Sequence, residues 1–359
     1  MTKPVPTKYK TTNWSAYNRA LIQRGSLSVW LGRDLAWQAK PQGKLGRAQT
    51  YSDAAIQFCL TIKYLFGLAL RQSIGFVQSL FKLAGLDWTA PDYSTVCRRQ
   101  KTLQVNIPYH HSQGALHLLV DSTGIKMLGY GEWKTKKHGA EYHRQWRKVH
   151  LGIDAETLEI RAIEVTDNRQ GDAQMLPSLL QQIPPHEPVA SVSGDGADDT
   201  KTCHEAIAER SADARIPSRK NGRPWKGTSP GVLARNEILR ATKRLGRTIR
   251  KRWSGYHRRS LVETKMRCFK RLGERVMARD FDRQVAELQV RAAILNRFSV
   301  LGRPQTVAMA SIRLRKGEAQ SSADLCNKAS AMAKSTAGHA GHGRQRRSGA
   351  GDRGGRIAG

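Results

Sequence analysis

The sequence predicts a mixed α/β protein in which helices come first and the strands of a central sheet follow. Apolar residues recur at helical spacing between residues 52 and 103. From about residue 115 the pattern changes to short apolar runs bounded by turn residues, which are typical of buried strands. These runs then alternate with two further helical segments, and this order indicates one sheet covered by helices.

The first part of this pattern predicts three helices, over 52–66, 71–84 and 95–103. The first begins at a capping serine and stops at a glycine, and the third follows a Pro-Asp-Tyr-Ser cap. Arg98 and Arg99 lie on the third helix, as in a helix-turn-helix reader whose last helix enters the major groove of DNA. A plain helical bundle explains the same pattern equally well.

The second part predicts the sheet and the helices that cover it. The predicted strands are 117–120, 150–154, 158–165, 188–193 and 212–217, and the predicted helices are 172–183 and 201–210. The order is strand-strand-strand-helix-strand-helix-strand with one later helix, which is the order of a ribonuclease-H-like sheet. A generic α/β domain shares this order, so the order alone does not select between them.

The charge of the chain predicts a polyanionic partner. There are 61 Lys and Arg against 29 Asp and Glu, a formal net charge of +32, which would destabilise the compact chain by self-repulsion. Residues 215–259 hold fifteen of these cations and a single carboxylate, Glu237. Trp225, Trp253 and Tyr256 are interleaved with them, a combination that favours phosphate contact with base stacking and hence nucleic acid.

Other classes of protein are disfavoured by the sequence. No run approaches the roughly 18 consecutive apolar residues of a membrane-spanning helix, and the first residues lack the apolar core of a signal peptide. The five cysteines are scattered without a Cys-x-x-Cys pair, so neither a disulfide framework nor a zinc site is expected. We therefore expect a cytoplasmic protein without a membrane partner.

Three carboxylates are candidates for a metal site. Asp121 closes the first apolar strand, and Asp195 follows the strand 188–193. Carboxylates at the ends of neighbouring strands can hold hard divalent cations, and Glu263, on a predicted helix, is the third acid that a second ion requires. Two such ions activate a hydroxyl and stabilise the leaving oxygen of a phosphodiester. A lone aspartate at a strand end is more often a turn cap, so the prediction depends on all three.

Glu263 belongs to a longer motif. Tyr256, Arg259, Glu263 and Lys270 stand at the spacing Tyr-x2-Arg-x3-Glu-x6-Lys. If the segment is one helix, separations of 3, 4 and 7 place all four side chains on one face. The motif therefore predicts a metal ligand surrounded by a phenol and two cations, which suits a site that grips a DNA phosphate.

Several short segments carry a resemblance to a known family. They are Asn13-Trp14-Ser15-Ala16-Tyr17-Asn18, Pro91-Asp92-Tyr93-Ser94, Val120-Asp121-Ser122-Thr123-Gly124, Gly131-Glu132-Trp133-Lys134, Lys137-His138-Gly139, Trp146-Arg147-Lys148-Val149-His150, Asp195-Gly196-Ala197 and the Tyr-Arg-Glu-Lys set. On these segments the chain resembles the DDE transposases of bacterial insertion sequences, in the insertion-sequence-five family, over roughly residues 13–304. It departs from them at Asp198, where such proteins often carry an aromatic residue. This extra acid is expected either to perturb Asp195 or to point to solvent.

The resemblance implies a function and a set of site residues. The implied catalytic triad, which also binds two Mg²⁺ or Mn²⁺ ions, is Asp121, Asp195 and Glu263. The implied DNA contacts are Tyr256, Arg259 and Lys270. To these the basic segments add Arg98, Arg99, Lys137, Arg147 and Lys148 as expected DNA contacts. The expected reaction hydrolyses double-stranded DNA at the ends of the element and joins the freed 3′ hydroxyls to target DNA.

The expected organisation has four parts. They are a basic N-terminal arm (1–50), a helical DNA-binding region (51–110), a ribonuclease-H-like catalytic domain with a basic insertion at about 215–255 (111–304) and a disordered, basic, Gly-rich tail (305–359). The active complex is expected to be at least a homodimer, because two ends must be joined. It is expected to be associated with the nucleoid of a bacterium. The alternatives are a decayed transposase that only binds or represses DNA, a sequence-independent nuclease and, remotely, a cationic membrane-surface protein.

Overall fold

A computed structural model describes residues 8–32, 35–41, 43, 48–128 and 146–309. The expected DNA contact Lys137, and nearly all of the predicted tail, lie outside the described residues. Residues Asn13–Pro304 form one compact unit, and the described residues 8–12 and 305–309 belong to a second unit. In the second unit, β1 (Lys8–Thr11) pairs antiparallel with β8 (Thr306–Met309). The boundaries predicted after residues 50 and 110 stay predictions.

The larger unit alternates helices and strands. The described helices are α1 (Trp14–Arg24), α2 (Asp53–Phe66), α3 (Leu70–Leu83), α4 (Tyr93–Thr102), α5 (Asp172–Gln181), α6 (Lys201–Glu209), α7 (Pro230–Leu245), α8 (Arg247–Trp253), α9 (Ser260–Arg271) and α10 (Phe281–Leu301). The strands are β2 (Leu116–Met127), β3 (Trp146–Asp154), β4 (Ile160–Asp167), β5 (Val189–Ser193), β6 (Asp213–Ala214) and β7 (Arg275–Val276). Short 3₁₀ turns occur at Leu27–Val29, Gly196–Asp198 and Tyr256–Arg259.

The sheet is mixed, with the strand order β4-β3-β2-β5-β6 among the described residues. The strands β2, β3 and β4 are antiparallel neighbours, whereas β5 runs parallel to β2 and β6 runs parallel to β5. The short strand β7 pairs with the end of β2. This mixed α/β arrangement agrees with the predicted order of elements and is consistent with a ribonuclease-H-like sheet.

The prediction that Asp121 closes its strand is wrong. The strand β2 continues through Ser122, Thr123 and Gly124 to Met127, and these residues pair with β3 as far as Lys126 opposite Trp146. The polar residues suggested a turn, but the long partner strand satisfies their backbone groups and keeps the segment extended. Asp121 therefore lies in the middle of β2.

Side chains alternate across β2 and thereby divide the sheet into two faces. Leu119 and Ile125 pack under α9 and α10 in one core, whereas Leu118 and Val120 pack under α5 and α6 in another. Because successive side chains of a strand point to opposite faces, Asp121 shares the face of Leu119. The sheet thus directs Asp121 towards the side that α9 covers.

The helix α10 joins this core to the helical region. Its Leu288 and Leu295 belong to the core against the sheet, and its Val290 and Ile294 belong to the core of α2, α3 and α4. A helix that is apolar on two sides needs two partners, and here it obtains one from each part of the unit. No single described helix is long and apolar enough to cross a membrane, and α2 with α3 reaches that length only as a pair bent by 109°.

Polar side chains of α10 attach it to the backbone of the sheet. The amide of Asn296 accepts a hydrogen bond from the Ile160 N–H at 2.7 Å and donates to the carbonyls of Ile160 at 2.8 Å and Pro108 at 3.1 Å. Asn296 is fully buried. One side chain therefore satisfies both backbone groups of Ile160 at the start of β4 and the carbonyl of Pro108 in the segment before β2.

We predict that Asn296→Ala lowers the free energy of unfolding by about 2 to 3 kcal/mol, because buried backbone groups lose their partners. Urea unfolding followed by circular dichroism measures the change. Asn18→Ala, at an exposed position on α1, is the matched control and should stay within about 0.5 kcal/mol of the parent. Equal effects of the two substitutions would contradict the prediction.

Candidate active site

The parallel pairing of β2 with β5 brings Asp121 and Asp195 to the same level of the sheet. Leu119 pairs with Ser193, and each aspartate follows two residues later in its own segment. Asp195 lies at the start of the 3₁₀ turn Gly196–Asp198, where its Oδ1 accepts a hydrogen bond from the Ala197 N–H at 2.6 Å. The strand pair and the turn therefore bring the two carboxylates close enough to interact electrostatically.

Glu263 approaches the two aspartates from α9. It lies in the first turn of the helix, and its side chain is 60% exposed. Burial raises the pKa of Asp121, and the neighbouring carboxylates of Asp195 and Glu263 raise it further, while Arg259 and the Ser122 N–H oppose the shift. The structure thus brings the three predicted acids within electrostatic reach of one another.

Arg259 links two of these acids. Its guanidinium contacts Asp121 Oδ1 at 2.9 Å and Glu263 Oε1 at 3.2 Å, and its side chain is only 16% exposed. Burial alone would lower the pKa of Arg259, but the carboxylates, chiefly Asp121, raise it. The cation therefore neutralises part of the negative charge that the three acids would otherwise concentrate in one place.

Comparisons with known proteins identify the family of the chain. Two family models, each described as a transposase DDE domain, match residues 22–130 and residues 112–297. The second match spans more than half of the 359 residues. The chain belongs to the DDE transposase family.

One solved structure to which the chain is similar is a simian T-cell lymphotropic virus intasome in complex with the PP2A regulatory subunit B56 gamma. The match has 14% sequence identity and a TM-score of 0.20, and it covers 51% of this DDE-family chain and 59% of that chain. It therefore spans less than two thirds of the length of that relative.

The donor set of this DDE-family chain suits a hard divalent cation, because it consists of carboxylate oxygens. Among the described residues, however, no three His, Cys, Asp or Glu side chains already stand close enough to hold a metal ion. Arg259 lies against oxygens of two of the three acids. The three carboxylates are therefore suitable ligands for the ion, but the guanidinium of Arg259 contacts two of them in this structure.

The spacing of the Tyr-Arg-Glu-Lys motif predicts a single helix, but in the structure the motif does not lie on one helix. Tyr256 and Arg259 form a 3₁₀ turn that begins after Gly255, and α9 starts only at Ser260. Gly255 has φ of 70°, in the left-handed region that glycine adopts readily, and this turns the chain before the motif. Tyr256 remains next to the acids. Burial raises its pKa, and Asp195 and Asp121 raise it further, while Arg259 opposes the shift.

Lys270 lies in an open cleft beside Glu263, which we call the α9 cleft. It has a volume of about 620 Å³ and is lined by Thr123, Glu263, Met266, Arg267, Lys270, Arg271 and Glu274. Thr123 comes from β2, and most of the other lining residues come from α9. The cleft therefore extends from the candidate active site along one face of α9.

Of the two alternatives expected for Asp198, the one in which it points to solvent is wrong. Asp198 is 4% exposed, and its Oδ2 accepts a hydrogen bond from the Asp195 N–H at 2.8 Å. Burial raises the pKa of Asp198 to about 6, and the carboxylates of Asp195 and Asp172 add to the shift. The extra acid therefore supports the backbone that carries Asp195.

The next residue, Asp199, is a structural anion that the sequence did not identify. Its carboxylate accepts hydrogen bonds from the buried guanidinium of Arg235 at 3.1 and 3.2 Å and from the Arg219 N–H at 3.0 Å. Although burial favours the neutral acid, these donors and His204 lower the pKa of Asp199 well below its usual range. Arg235 was indistinguishable from other cations of the basic stretch because nothing in its spacing signals burial.

A second unpredicted residue, Asp172, lies at the start of α5. Its Oδ1 accepts hydrogen bonds from Ser122 Oγ at 2.6 Å and Lys148 Nζ at 2.8 Å, and it lies 3.5 Å from His150 Nδ1. Ser122 directly follows Asp121, so this network supports the segment of β2 that carries the candidate ligand. The sequence marked Asp172 only as the start of a helix.

The remaining predicted DNA contacts differ in how free they are to bind. Arg98 is exposed on α4, whereas Arg99 contacts Asp53 at 2.7 Å and the Tyr51 carbonyl at 2.8 Å. Arg147 donates to Gln284 at 2.6 Å and packs over the ring of Phe281. Lys148 is held by Asp172, as described. The positions of Lys and Arg in the sequence therefore did not show which of them have partners within the protein and which are exposed to a ligand.

We predict that His150 makes the stability of the protein depend on pH. Burial lowers the pKa of His150 to about 4, and Lys148 adds to this while Asp172 opposes it. Between its unperturbed pKa of about 6.5 and 4, the unfolded chain binds a proton that the folded chain does not, so the free energy of unfolding falls as the pH falls. The upper limit of the loss is about 3 kcal/mol.

Urea unfolding at a series of pH values between about 7 and about 4 measures this slope. His150→Gln keeps a polar group beside Thr166, which now bonds to His150 Nε2 at 2.9 Å, but it does not titrate. The slope of the variant should be shallower than that of the parent. Identical slopes would show that His150 carries a proton equally in both states.

Proposed function

We propose that this chain is the transposase of an insertion sequence, of the insertion-sequence-five type, which cuts DNA at the ends of its element and joins the freed 3′ hydroxyls to target DNA. The observation that carries the proposal is the pairing of β2 with β5, which aligns Asp121 and Asp195 opposite Glu263. The net charge of +32 supports a polyanionic substrate. Double-stranded DNA at the ends and at the target is the substrate that suits both features.

The three acids would hold one or two divalent metal ions, Mg²⁺ or Mn²⁺. Such ions supply an activated hydroxyl and neutralise charge on the phosphodiester. The residues of the chain do the rest of the work. Asp195 and Asp121 are fixed by backbone hydrogen bonds from Ala197 and Ser122, at 2.6 and 2.9 Å, and α9 presents Glu263.

The cations and the phenol around the acids would position the DNA backbone. Lys270, in the α9 cleft, is available for a phosphate, and Tyr256 lies beside Arg259 and the acids. Arg259 is engaged by Asp121 and Glu263, so a phosphate would compete with these two carboxylates for its charge. Phosphate contacts of this kind fix the register of the DNA without reading its sequence.

The helical region would recognise the ends of the element. Arg98 is exposed on α4, which begins at an Asp92 cap whose carboxylate accepts the Ser94 N–H at 2.9 Å. A short, capped and basic helix suits the major groove. Because two ends must be joined, we propose that the active complex contains at least two copies of the chain, working on the bacterial nucleoid in the cytoplasm.

One observation favours a second candidate function, a DNA-binding protein that no longer cuts. In the structure the guanidinium of Arg259 occupies oxygens that a metal ion would need. If no ion displaces it, the chain would bind the ends and act as a repressor. The two functions differ in whether DNA strands are broken.

We predict that Asp121→Asn abolishes cutting of a plasmid that carries the ends of the element, in buffer with Mg²⁺, while DNA binding is kept. The substitution preserves shape but removes a ligand charge. Nicked and joined products are counted on a gel, and retardation of the ends measures binding. Asp87→Asn, at an exposed position, is the control and should cut like the parent. A parent that retards the ends and never nicks would favour the repressor instead.

We predict further that Arg259→Gln binds Mn²⁺ more tightly than the parent, because a competing cation is removed from Asp121 and Glu263. An interaction of about 1 kcal/mol or more between unit charges corresponds to at least about a fivefold change in affinity. Electron paramagnetic resonance of free Mn²⁺ measures this without any DNA. Arg259→Lys retains the charge and should bind like the parent. Weaker binding by Arg259→Gln would mean that the guanidinium organises the site rather than competing for it.

A further inference from the structure

Most cations around the candidate active site already have partners within the protein. Arg259 contacts Asp121 and Glu263, and Lys148 contacts Asp172. Arg147 donates to Gln284 at 2.6 Å. The charges of Arg259 and Lys148 are thus balanced by carboxylates of the protein, with which a phosphate would have to compete, whereas Arg147 uses only its Nε–H internally.

The α9 cleft contains the exception. Within the part of the chain that the structure describes, no hydrogen bond or ion pair engages the side chains of Arg267, Lys270 and Arg271. Arg267 and Arg271 are exposed, and Lys270 is half-buried. These three cations can therefore bind phosphates without breaking a hydrogen bond or ion pair within the described part of the protein.

The spacing of these cations suits one strand of nucleic acid. Four residues of an α-helix advance about 6 Å, so Arg267 lies one such step beyond Glu263 and Arg271 lies a second step beyond Arg267. Successive phosphates along a strand are separated by a similar distance. Thr123 lines the cleft from β2 and offers a hydroxyl donor to the same phosphates.

Glu274 also lines the cleft and has the opposite charge. Its carboxylate follows Arg271 by three residues and would repel a phosphate placed beside it. A strand that enters beside Glu263 would therefore be held at Arg267 and would turn away from the protein before it reaches Glu274. The cleft has an attractive part and a repulsive end.

We propose that the α9 cleft binds the DNA strand on one side of the cut, with Arg267 as a positioning residue for the phosphate next to the one that reacts. The proposal rests on the proposed function, because it assigns to the strand a place relative to Glu263. Arg267 is not part of the Tyr-Arg-Glu-Lys motif, so neither the sequence motif nor the resemblance identified it.

The test measures phosphate contacts without catalysis. Full-length Arg267→Ala, Arg267→Lys and Arg279→Ala are titrated onto a fluorescein-labelled duplex of random sequence, without divalent metal, at several NaCl concentrations. Arg279 is an exposed arginine that does not line the cleft. Arg267→Ala should make the slope of log Kobs against log [NaCl] shallower by about 0.9, because one phosphate contact is lost. Arg267→Lys should restore the parental slope, and Arg279→Ala should retain it.

Glu274→Gln provides an independent variant that should bind the same duplex more tightly than the parent. Equal slopes for Arg267→Ala and Arg279→Ala, or unchanged affinity for Glu274→Gln, would overturn the proposal. A parent that binds with an Arg267-dependent slope but never cuts DNA would remove the proposed function and leave the cleft assignment standing. A parent that cuts DNA while all slopes are equal would remove the cleft assignment alone.

Discussion

The packing of α10 between two hydrophobic cores is the constraint on which the rest of the structure depends. Val290 and Ile294 complete the core of the helical region, while Leu288 and Leu295 cover the sheet. Buried polar groups on the same helix prevent it from sliding. Arg291 donates to the carbonyls of Gly273 and Arg275, which follow α9. The helix that carries Glu263 is therefore anchored at its far end by α10.

Electrostatic balance is the second constraint. Asp121, Asp195 and Glu263 concentrate negative charge, and Asp172 and Asp198 add two more acids nearby. Two cations of the protein offset part of this charge: Arg259 contacts Asp121, and Lys148 contacts Asp172. The excess of Lys and Arg in this chain therefore serves two purposes: some cations balance the acids of the fold, and others remain available for a partner.

The sequence predicted the elements of the fold better than the contacts of the site. Helical spacing located α2, α3 and α4, and apolar runs located β3, β4 and β5, because both patterns report burial. The length of β2 was missed because its second half is polar and depends on pairing with β3 and β7. The structure brings the three predicted acids within electrostatic reach of one another, but their catalytic role and the DNA contact of Arg99 stay predictions. The burial of Asp198 and the pairing of Arg99 with Asp53 were missed. Their surroundings are made by residues distant in sequence, so local pattern carries no information about them.

The position of α10 near the end of the compact unit has a consequence for how the protein is made. Both hydrophobic cores lack part of their packing surface until residues 281–301 have left the ribosome. The N-terminal helices therefore cannot complete their packing before α10 has been synthesised. Folding then becomes a late event that involves the whole unit from Asn13 to Pro304. A gene copy interrupted before α10 would consequently lose part of both cores at once, and we expect both halves of the protein to be destabilised together.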